Sequence, residues 1–347
     1  MILRKNGIKS NIFFLTKQSN STFIAMNSNE NKIQQEKVLI SILNWKNYSD
    51  TINCIEQLVG FGFEGIIVID NASPNNSVKE IKTAFPDLEV IESNINTGFA
   101  AGHKIAADHA LKNNFDLLWI LNPDVIINEN TLPELVQAYK RNGQAIYGSF
   151  SVNENDPNKI EFGGAYEIKA GKPQTIYNFQ KNKSLAELRN ISKDIQVGAV
   201  EGFSMLIPVE VIRKHGFMDT SFFMYGEETD YCLWLWEKGI PSYIVTGSAI
   251  IHKGEGSFNK SEGAKKVTTY YRTRNYRLIA KKYFGLTNSE ILKSVGGIIA
   301  LLRFFIKWNF AGKNFKKEKD LDYFHNLGIL HALFGIKGKK ISPEKYL

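Results

Sequence analysis

Four short apolar runs in the first part of the chain constrain its fold more than any other feature. They are residues 38–43, 66–69, 88–91 and 117–121. Helical periodicity fills each interval between them, and the connections are only a few residues long. This alternation predicts an α/β fold with a doubly wound, mostly parallel sheet and helices on both faces.

Polar residues follow three of the four predicted strands directly. Residues 70–73 follow the second strand, 94–98 follow the third, and Asn122-Pro123-Asp124 follows the fourth. Pro123 ends its strand because proline has no N–H for a sheet ladder. A single cluster of this kind is typical of a turn. Three clusters at one edge indicate a nucleotide site, because ligands of open α/β sheets bind at the carboxyl ends of strands.

Three carboxylates fall within four residues at the start of a later predicted helix: Glu227, Glu228 and Asp230. The helix dipole stabilises acidic residues there, which accounts for one or two of them. The apolar residues 222–225 just before them favour a general base beside a metal–diphosphate site. His252 ends another predicted strand, and together with Asp124 it supplies the nitrogen and oxygen ligands that suit Mn²⁺ or Mg²⁺.

The charge of the chain is unevenly distributed. Residues 265–347 carry 18 Lys and Arg against 5 Asp and Glu, whereas the rest of the chain is slightly acidic. Within this part, residues 291–310 show amphipathic helical spacing, and Arg303 and Lys307 interrupt the apolar run. We therefore expect a surface helix rather than a membrane span. It either lies on an anionic bilayer or packs on the main domain.

The two ends of the chain differ from its centre. Residues 1–37 contain no apolar run long enough for a signal peptide or a span, and residues 16–37 are rich in Asn, Ser, Gln and Lys, so we expect a disordered extension. The two cysteines, Cys54 and Cys232, form no disulfide framework, and a reducing compartment is expected.

Several short motifs, taken in order, resemble an inverting family 2 glycosyltransferase of GT-A fold, in its rhamnosyltransferase-like branch. They are Ile-Leu-Asn-Trp at 42–45, Ile-Asp-Asn-Ala-Ser at 69–73, Asn-Thr-Gly-Phe-Ala-Ala-Gly at 96–102, Leu-Asn-Pro-Asp at 121–124, Phe-Phe-Met-Tyr-Gly-Glu-Glu-Thr-Asp at 222–230, His252, Gly256-Ser257 and Tyr-Tyr-Arg-Thr-Arg-Asn at 270–275. The resemblance covers residues 38–285. It implies a nucleotide-binding half at 38–125, an acceptor half at 126–285, and a basic helical tail at 286–347.

The resemblance also implies roles for individual residues. Glu228 takes the position of the catalytic base, with Glu227 beside it and Asp230 as the alternative base. Asp124 takes the last position of the Asp-x-Asp metal motif, Asn122 takes the first, and His252 matches a metal-binding histidine. The implied nucleotide-binding residues are Asn44, Trp45, Asp70, Asn71, Ser73, Asn96, Gly98, Phe99, Gly102 and Asn122. The implied substrate-binding residues are Gly202, Tyr225 and Arg274.

The expected activity is transfer of a sugar, such as a deoxyhexose like rhamnose, from a nucleoside-diphosphate donor with a divalent metal. The expected acceptor is a glycan or lipid-linked molecule of surface polysaccharide synthesis. The expected place is the cytoplasm, with the basic tail as a peripheral contact to the inner face of the membrane. A nucleotidyltransferase and a catalytically weakened nucleotide-sugar-binding scaffold are the alternatives. A nucleic-acid binder has only the basic tail in its favour, and no nucleic-acid partner is expected.

Overall fold

A computed structural model describes residues 36–169, 172–173, 183–253, 261–285 and 321–346. Almost all of the predicted N-terminal extension and all of the amphipathic segment 291–310 lie outside these residues, as do Gly256 and Ser257.

The first part of the chain alternates strands and helices as the apolar runs predict. The elements are β1 (Val38–Asn44), α1 (Tyr48–Gly60), β2 (Ile66–Asp70), α2 (Ser77–Ala84), β3 (Glu89–Glu92), α3 (Phe99–Lys112) and β4 (Leu117–Leu121). All five side chains of β4 are buried. The strands pair in parallel in the order β3-β2-β1-β4, so their carboxyl ends share one edge.

The second part extends the same sheet. Its elements are β5 (Val125–Ile126), α4 (Thr131–Asn142), β6 (Ile146–Val152), β7 (Ile160–Phe162), β8 (Ala165–Lys169), β9 (Lys172–Pro173), α5 (Leu185–Ile191), β10 (Asp194–Ala199), β11 (Ser204–Pro208), α6 (Val209–His215), α7 (Glu227–Trp236), β12 (Ser242–His252) and α8 (Glu262–Tyr283). The sheet continues from β4 through β11, β6, β12, β10 and β8 to β9. Only β6 and β12 pair in parallel among these strands, and β11 is antiparallel to both of its neighbours. The α/β fold class is confirmed, with parallel pairing in the first half and a mixed sheet overall.

A chain of buried hydroxyl groups joins the strands across the middle of this sheet. Trp119 of β4 donates to Ser204 of β11 at 3.1 Å, and Ser204 contacts Ser149 of β6 at 2.7 Å. Ser149 in turn contacts Ser248 of β12 at 2.7 Å. Because buried polar groups are costly unless they are hydrogen-bonded, this chain favours one register between the two halves of the sheet.

In the first helix, residue type predicts Ser49 or Asp50 as the N-cap, and helical spacing predicts Val59 on the same face as Leu58. Both predictions are wrong. Helix α1 begins at Tyr48 after Asn47, so Ser49 and Asp50 lie inside its first turn. Val59 is 54% exposed, one residue before the helix ends at Gly60.

The described part of the basic tail packs on α8. Helix α9 (Leu321–Leu333) lies along it, with Tyr270 bonded to His331 at 2.5 Å and Thr273 to His325 at 3.1 Å. Gly328 permits this approach, since a Cβ there would lie 2.8 Å from the carbonyl oxygen of Tyr270. No helix among the described residues has both the length and the apolar composition to cross a membrane. The predicted boundaries at residues 37, 125 and 285 stay predictions.

Candidate active site

The carboxyl ends of β1 and β2 meet at a pair of buried polar side chains. Asn44 and Asp70 are register partners, and the amide of Asn44 donates to a carboxylate oxygen of Asp70 at 2.7 Å. The backbone N–H of Ser73 donates to the other oxygen at 2.9 Å. Thr51 fixes the orientation of Asn44 by donating to its side-chain oxygen at 2.9 Å. The carboxylate of Asp70 is therefore held in one orientation, as recognition of a ligand's hydroxyl groups requires.

A second polar network orders the loop between β3 and α3. The amide of Asn71 donates to the side chain of Asn96 at 3.2 Å and to the carbonyl oxygen of Gly98 at 3.1 Å. Asn96 in turn accepts from the backbone N–H of Gly98 at 3.0 Å. The structure thus brings together five of the predicted nucleotide-binding residues: Asn44, Asp70, Ser73, Asn71 and Asn96.

Gly98 connects this loop to the chain before α7. Its φ is +86°, and a side chain at this position would overlap the carbonyl oxygen of Phe223. The next residue, Phe99, donates its backbone N–H to that same oxygen at 2.9 Å. Glycine is needed at position 98 because it alone combines this φ with so close an approach of two backbones.

The other predicted glycines contact protein side chains. A Cβ at Gly102 would lie 2.5 Å from Leu43, and one at Gly202 would lie 2.6 Å from the ring of Phe99. Packing therefore explains both glycines, and their contacts with a ligand stay predictions. Trp45 directly follows β1, where the ammonium of Lys46 lies 4.9 Å from its ring centroid.

Asp124 and His252 meet because β5 pairs with the end of β12. Val125 is the register partner of His252, and the Nε2 atom of His252 lies 3.2 Å from a carboxylate oxygen of Asp124. Burial opposes the charged form of each group, but their mutual hydrogen bond and charge lower the pKa of Asp124 and raise the pKa of His252. Asn122 lies beside them and donates its backbone N–H to Phe203 at 2.9 Å.

This pair fits a divalent cation that a diphosphate also coordinates. It offers one oxygen ligand and one nitrogen ligand, and about a fifth of each side chain is exposed. Among the described residues, no group of three or more His, Cys, Asp and Glu side chains is arranged to hold a metal. Two protein ligands suit a site in which substrate phosphates complete the coordination, as is usual for Mg²⁺.

Glu227 and Glu228 open α7 as a buried pair of acids. The chain turns into the helix through Tyr225 and Gly226, both at positive φ. Burial raises the pKa of Glu227 to about 7, while backbone N–H groups and Arg274 oppose this rise. Burial, together with the charges of Glu227 and Glu201, raises the pKa of Glu228 well above its ordinary value. One oxygen of Glu227 has no hydrogen-bond partner within the described part of the chain.

Asp230 belongs to a different network from these two acids. Its carboxylate accepts from the ammonium of Lys282 at 2.9 and 3.1 Å and from the hydroxyl of Tyr283 at 3.2 Å. These bonds join α7 to α8. The contacts support a structural role for Asp230 and do not support the alternative-base hypothesis.

Arg274 also differs from its predicted surroundings. Its side chain is fully buried, donates to the carbonyl oxygen of Gly338 at 2.6 Å, and packs against the rings of Tyr270 and Tyr271. A substrate cannot reach it in this arrangement, so the predicted substrate contact has no support. The hydroxyl of Tyr225, in contrast, bonds to Thr268 at 3.2 Å, and the side chain is partly exposed.

Three further residues had no predicted role, although Asn275 lies in the motif at 270–275. Asn275 donates to the carbonyl oxygens of Met224 and Tyr225 at 2.9 and 2.7 Å. Glu201 raises the pKa of both Glu228 and His252, so its charge acts on both sides of the site. Lys339 reaches the carbonyl oxygen of Asn96 at 3.2 Å. An acidic residue inside the apolar segment 197–208 was a usable signal for Glu201, whereas nothing in the sequence pointed to Lys339.

Known proteins resemble this chain in sequence or in fold. Over 321 residues the chain is 25% identical to the low-salt glycan biosynthesis hexosyltransferase Agl10 of Haloferax volcanii, covering 90% of this chain and 96% of the relative. The mannosyltransferase PcManGT from Pyrobaculum calidifontis, solved with GDP-Man and Mn²⁺, has a TM-score of 0.50 at 10% identity, covering 87% of this chain and 88% of that one. GalNAc-T7, solved with UDP, GalNAc and Mn²⁺, has a TM-score of 0.50 at 13% identity. The match covers 74% of this chain, which spans about half (52%) of the length of GalNAc-T7.

These similarities confirm the predicted GT-A fold and the predicted class of enzyme, and they favour a glycosyltransferase over a nucleotidyltransferase. The family match itself covers residues 41–216, which include most of β1, all of β2, β3 and β4, and Asp124. Since that segment is about half of the 347 residues, the chain belongs to glycosyl transferase family 2.

Proposed function

We propose that the chain moves a hexose from a nucleoside-diphosphate sugar to a hydroxyl group of a glycan or lipid-linked acceptor, with inversion at the anomeric carbon. The observation that carries this proposal is the pairing of Asp124 with His252 just after the end of β4. The buried Glu228 is the acid proposed to face this pair. The negative charge of Glu201 acts on both His252 and Glu228, which supports one continuous site.

Glu228 is the proposed general base. A base must be ionised, and it is most effective when its pKa lies near the working pH. Burial and the neighbouring Glu227 raise the pKa of Glu228 in that direction. In the proposed single displacement, a carboxylate oxygen of Glu228 takes the proton of the acceptor hydroxyl while the hydroxyl oxygen bonds to the anomeric carbon. The bond from that carbon to the diphosphate breaks with inversion.

The donor is proposed to lie along the carboxyl edge of β1, β2 and β4. Asp70, fixed by Asn44 and Ser73, would accept hydrogen bonds from the ribose or base, and the loop 96–99 would line the nucleotide. Asp124 and His252 would hold a divalent cation, which stabilises the negative charge of the departing nucleoside diphosphate when bound. The Mn²⁺ complexes of the two similar structures support this assignment.

The acceptor and the sugar belong to the same proposal. The relative Agl10 is a glycan biosynthesis hexosyltransferase, which supports a glycan acceptor here. The rhamnosyltransferase-like motifs favour a deoxyhexose such as rhamnose as the transferred sugar. A lipid-linked acceptor agrees with the excess of positive charge after residue 265, which would favour an anionic membrane surface.

A thermal-shift screen with UDP-, dTDP- and GDP-sugars, each with and without Mn²⁺, tests the donor part of the proposal. One donor should stabilise the protein, by about 2.7 kcal/mol at a hundredfold excess over its Kd, and Mn²⁺ should increase the effect. Release of the nucleoside diphosphate with a glycan acceptor then tests the transfer. Donor binding without transfer to any acceptor would favour the scaffold alternative, and no binding at all would refute the proposal.

Flotation with anionic liposomes tests the membrane part. The structure argues against truncating the tail, because α9 packs on α8. Arg303→Glu with Lys307→Glu instead reverses two charges in the amphipathic segment and leaves α9 in place. We expect the double variant to lose most of the flotation of the parent chain. Equal flotation of both forms would refute a membrane role for this segment.

A further inference from the structure

The segment Ile336–Tyr346, here called the C-terminal strap, follows α9 and lies outside the part of the chain that matches the family. It is anchored to α8 on one side. The hydroxyl of Tyr271 donates to the carbonyl oxygen of Ile341 at 2.7 Å, and Arg274 donates to that of Gly338 at 2.6 Å. Two buried side chains of α8 therefore fix the path of the strap.

The other side of the strap contacts the chain that leads into α7. The backbone N–H of Gly338 donates to the carbonyl oxygen of Ser221 at 2.7 Å. The ammonium of Lys337 lies 2.7 Å from a carboxylate oxygen of Asp219, and that of Lys339 lies 5.1 Å from the ring centroid of Phe223. The strap thus supports the segment that ends at Glu227 and Glu228.

Lys339 reaches beyond this segment to the proposed donor loop. Its ammonium donates to the carbonyl oxygen of Asn96 at 3.2 Å, and also contacts Glu344 at 2.7 Å. The side chain of Asn96 accepts from Gly98 and from Asn71, both within the donor loop network. Lys339 therefore contacts the loop where it meets Phe223, while the residue itself remains exposed, with about a third of its side chain accessible.

From these contacts we infer that Lys339 is a positioning residue for the donor: it holds the turn at Asn96–Gly98 in the form that binds the nucleotide. The inference rests on the proposed function, because it assigns that loop to the donor. A charge-assisted hydrogen bond fixes its acceptor more strongly than a neutral one. Without it, part of the donor's binding free energy would be spent on ordering the loop.

The test compares Lys339→Met with Lys340→Met, a neighbouring exposed lysine that serves as the matched control. Titration calorimetry with UDP, dTDP and GDP, each with Mn²⁺, identifies the nucleotide that the parent chain binds. For that nucleotide we expect Lys339→Met to raise Kd about tenfold, Lys340→Met to stay within about twofold, and Lys339→Arg to recover most of the loss. In transfer assays, the donor KM of Lys339→Met should rise more than its kcat falls.

Two outcomes would overturn the inference while leaving the proposed function intact. One is that Lys339→Met and Lys340→Met have equal Kd values for a nucleotide that the parent chain binds. The other is an equal loss of binding in Lys339→Met and Lys339→Arg, accompanied by an equal fall of their melting temperatures, which would indicate a general loss of folding. If the parent chain binds none of the three nucleotides, the proposed function itself fails, and this inference fails with it.

Discussion

A substitution of Asn275 tests directly whether this side chain fixes the turn that precedes Glu228. Its buried amide donates to the carbonyl oxygens of Met224 and Tyr225, and its side-chain oxygen accepts from the Nε of Arg274 at 2.7 Å. Tyr225 has a φ of +66°, a conformation that costs a residue with a side chain roughly 1–2 kcal/mol. The two bonds from Asn275 therefore offset the strain of the turn that starts α7.

Replacing Asn275 with alanine removes three hydrogen bonds at once. Each contributes about 1 kcal/mol net, and a carbonyl that stays buried without a partner costs more. We expect Asn275→Ala to lower the free energy of unfolding by about 3 kcal/mol in urea denaturation. Because the turn also loses its restraint, kcat should fall more than the donor KM rises.

Thr273→Ala is the matched control, since it lies on the same helix and loses one exposed bond to His325. It should cost less than about 1 kcal/mol and leave kcat unchanged within about twofold. If Asn275→Ala were no less stable than this control, or kept the parent kcat, the assignment of Asn275 to the turn before Glu228 would be refuted.

Four further predictions concern the two buried acids and the Asp124–His252 pair. Glu228→Gln should lower kcat by about 10²- to 10⁴-fold while nucleotide binding stays nearly intact, and full turnover would remove Glu228 from the base role. Folding raises the pKa of Glu227 from its ordinary value of 4.5 to about 7. The protonated acid therefore stabilises the fold below about pH 4.5, and the parent chain should lose stability relative to Glu227→Gln as the pH rises from about 4.5 to 7. Urea denaturation across that range checks this, and a stability difference independent of pH would contradict it. Glu227→Gln should also move the acid limb of the rate profile to lower pH, because removing a negative neighbour lowers the pKa of Glu228. Asp124→Ala should raise the Mn²⁺ concentration needed for half-maximal activity. Metal-independent turnover of the parent chain would argue against metal binding by Asp124 and His252.

Strands β1, β2 and β4 could be predicted because each is a short, mostly apolar run that ends in a turn, and β3, which is Glu-Val-Ile-Glu, could be predicted from its place between two helical segments. Their parallel order follows from the helices between them. The second half was harder: β11 lies antiparallel between β4 and β6, and the direction of a strand after a long connection depends on tertiary packing rather than on local pattern. Residue chemistry and the family motifs predict His252 and Asp124 together, but the strand that brings them together, the two-residue β5, is too short to leave a sequence signal.

The roles of charged residues were the least predictable part of the site. Three carboxylates occur within four residues at the start of α7, yet the structure separates Asp230, bonded to Lys282, from the two buried acids. Local spacing could not distinguish them, because Lys282 lies 52 residues later in the chain. Arg274 is similar: its motif resembled a substrate-binding segment, and its partner Gly338 lies 64 residues away.

The contact between Gly98 and Phe223 links two segments of the candidate site through the main chain. The carbonyl oxygen of Phe223 accepts a hydrogen bond from the N–H of Phe99 and belongs to the segment that leads to Glu228, so a displacement of the loop at 96–99 is transmitted to that segment without any side chain. If this loop binds the donor as proposed, its occupancy would act directly on the position of Glu228.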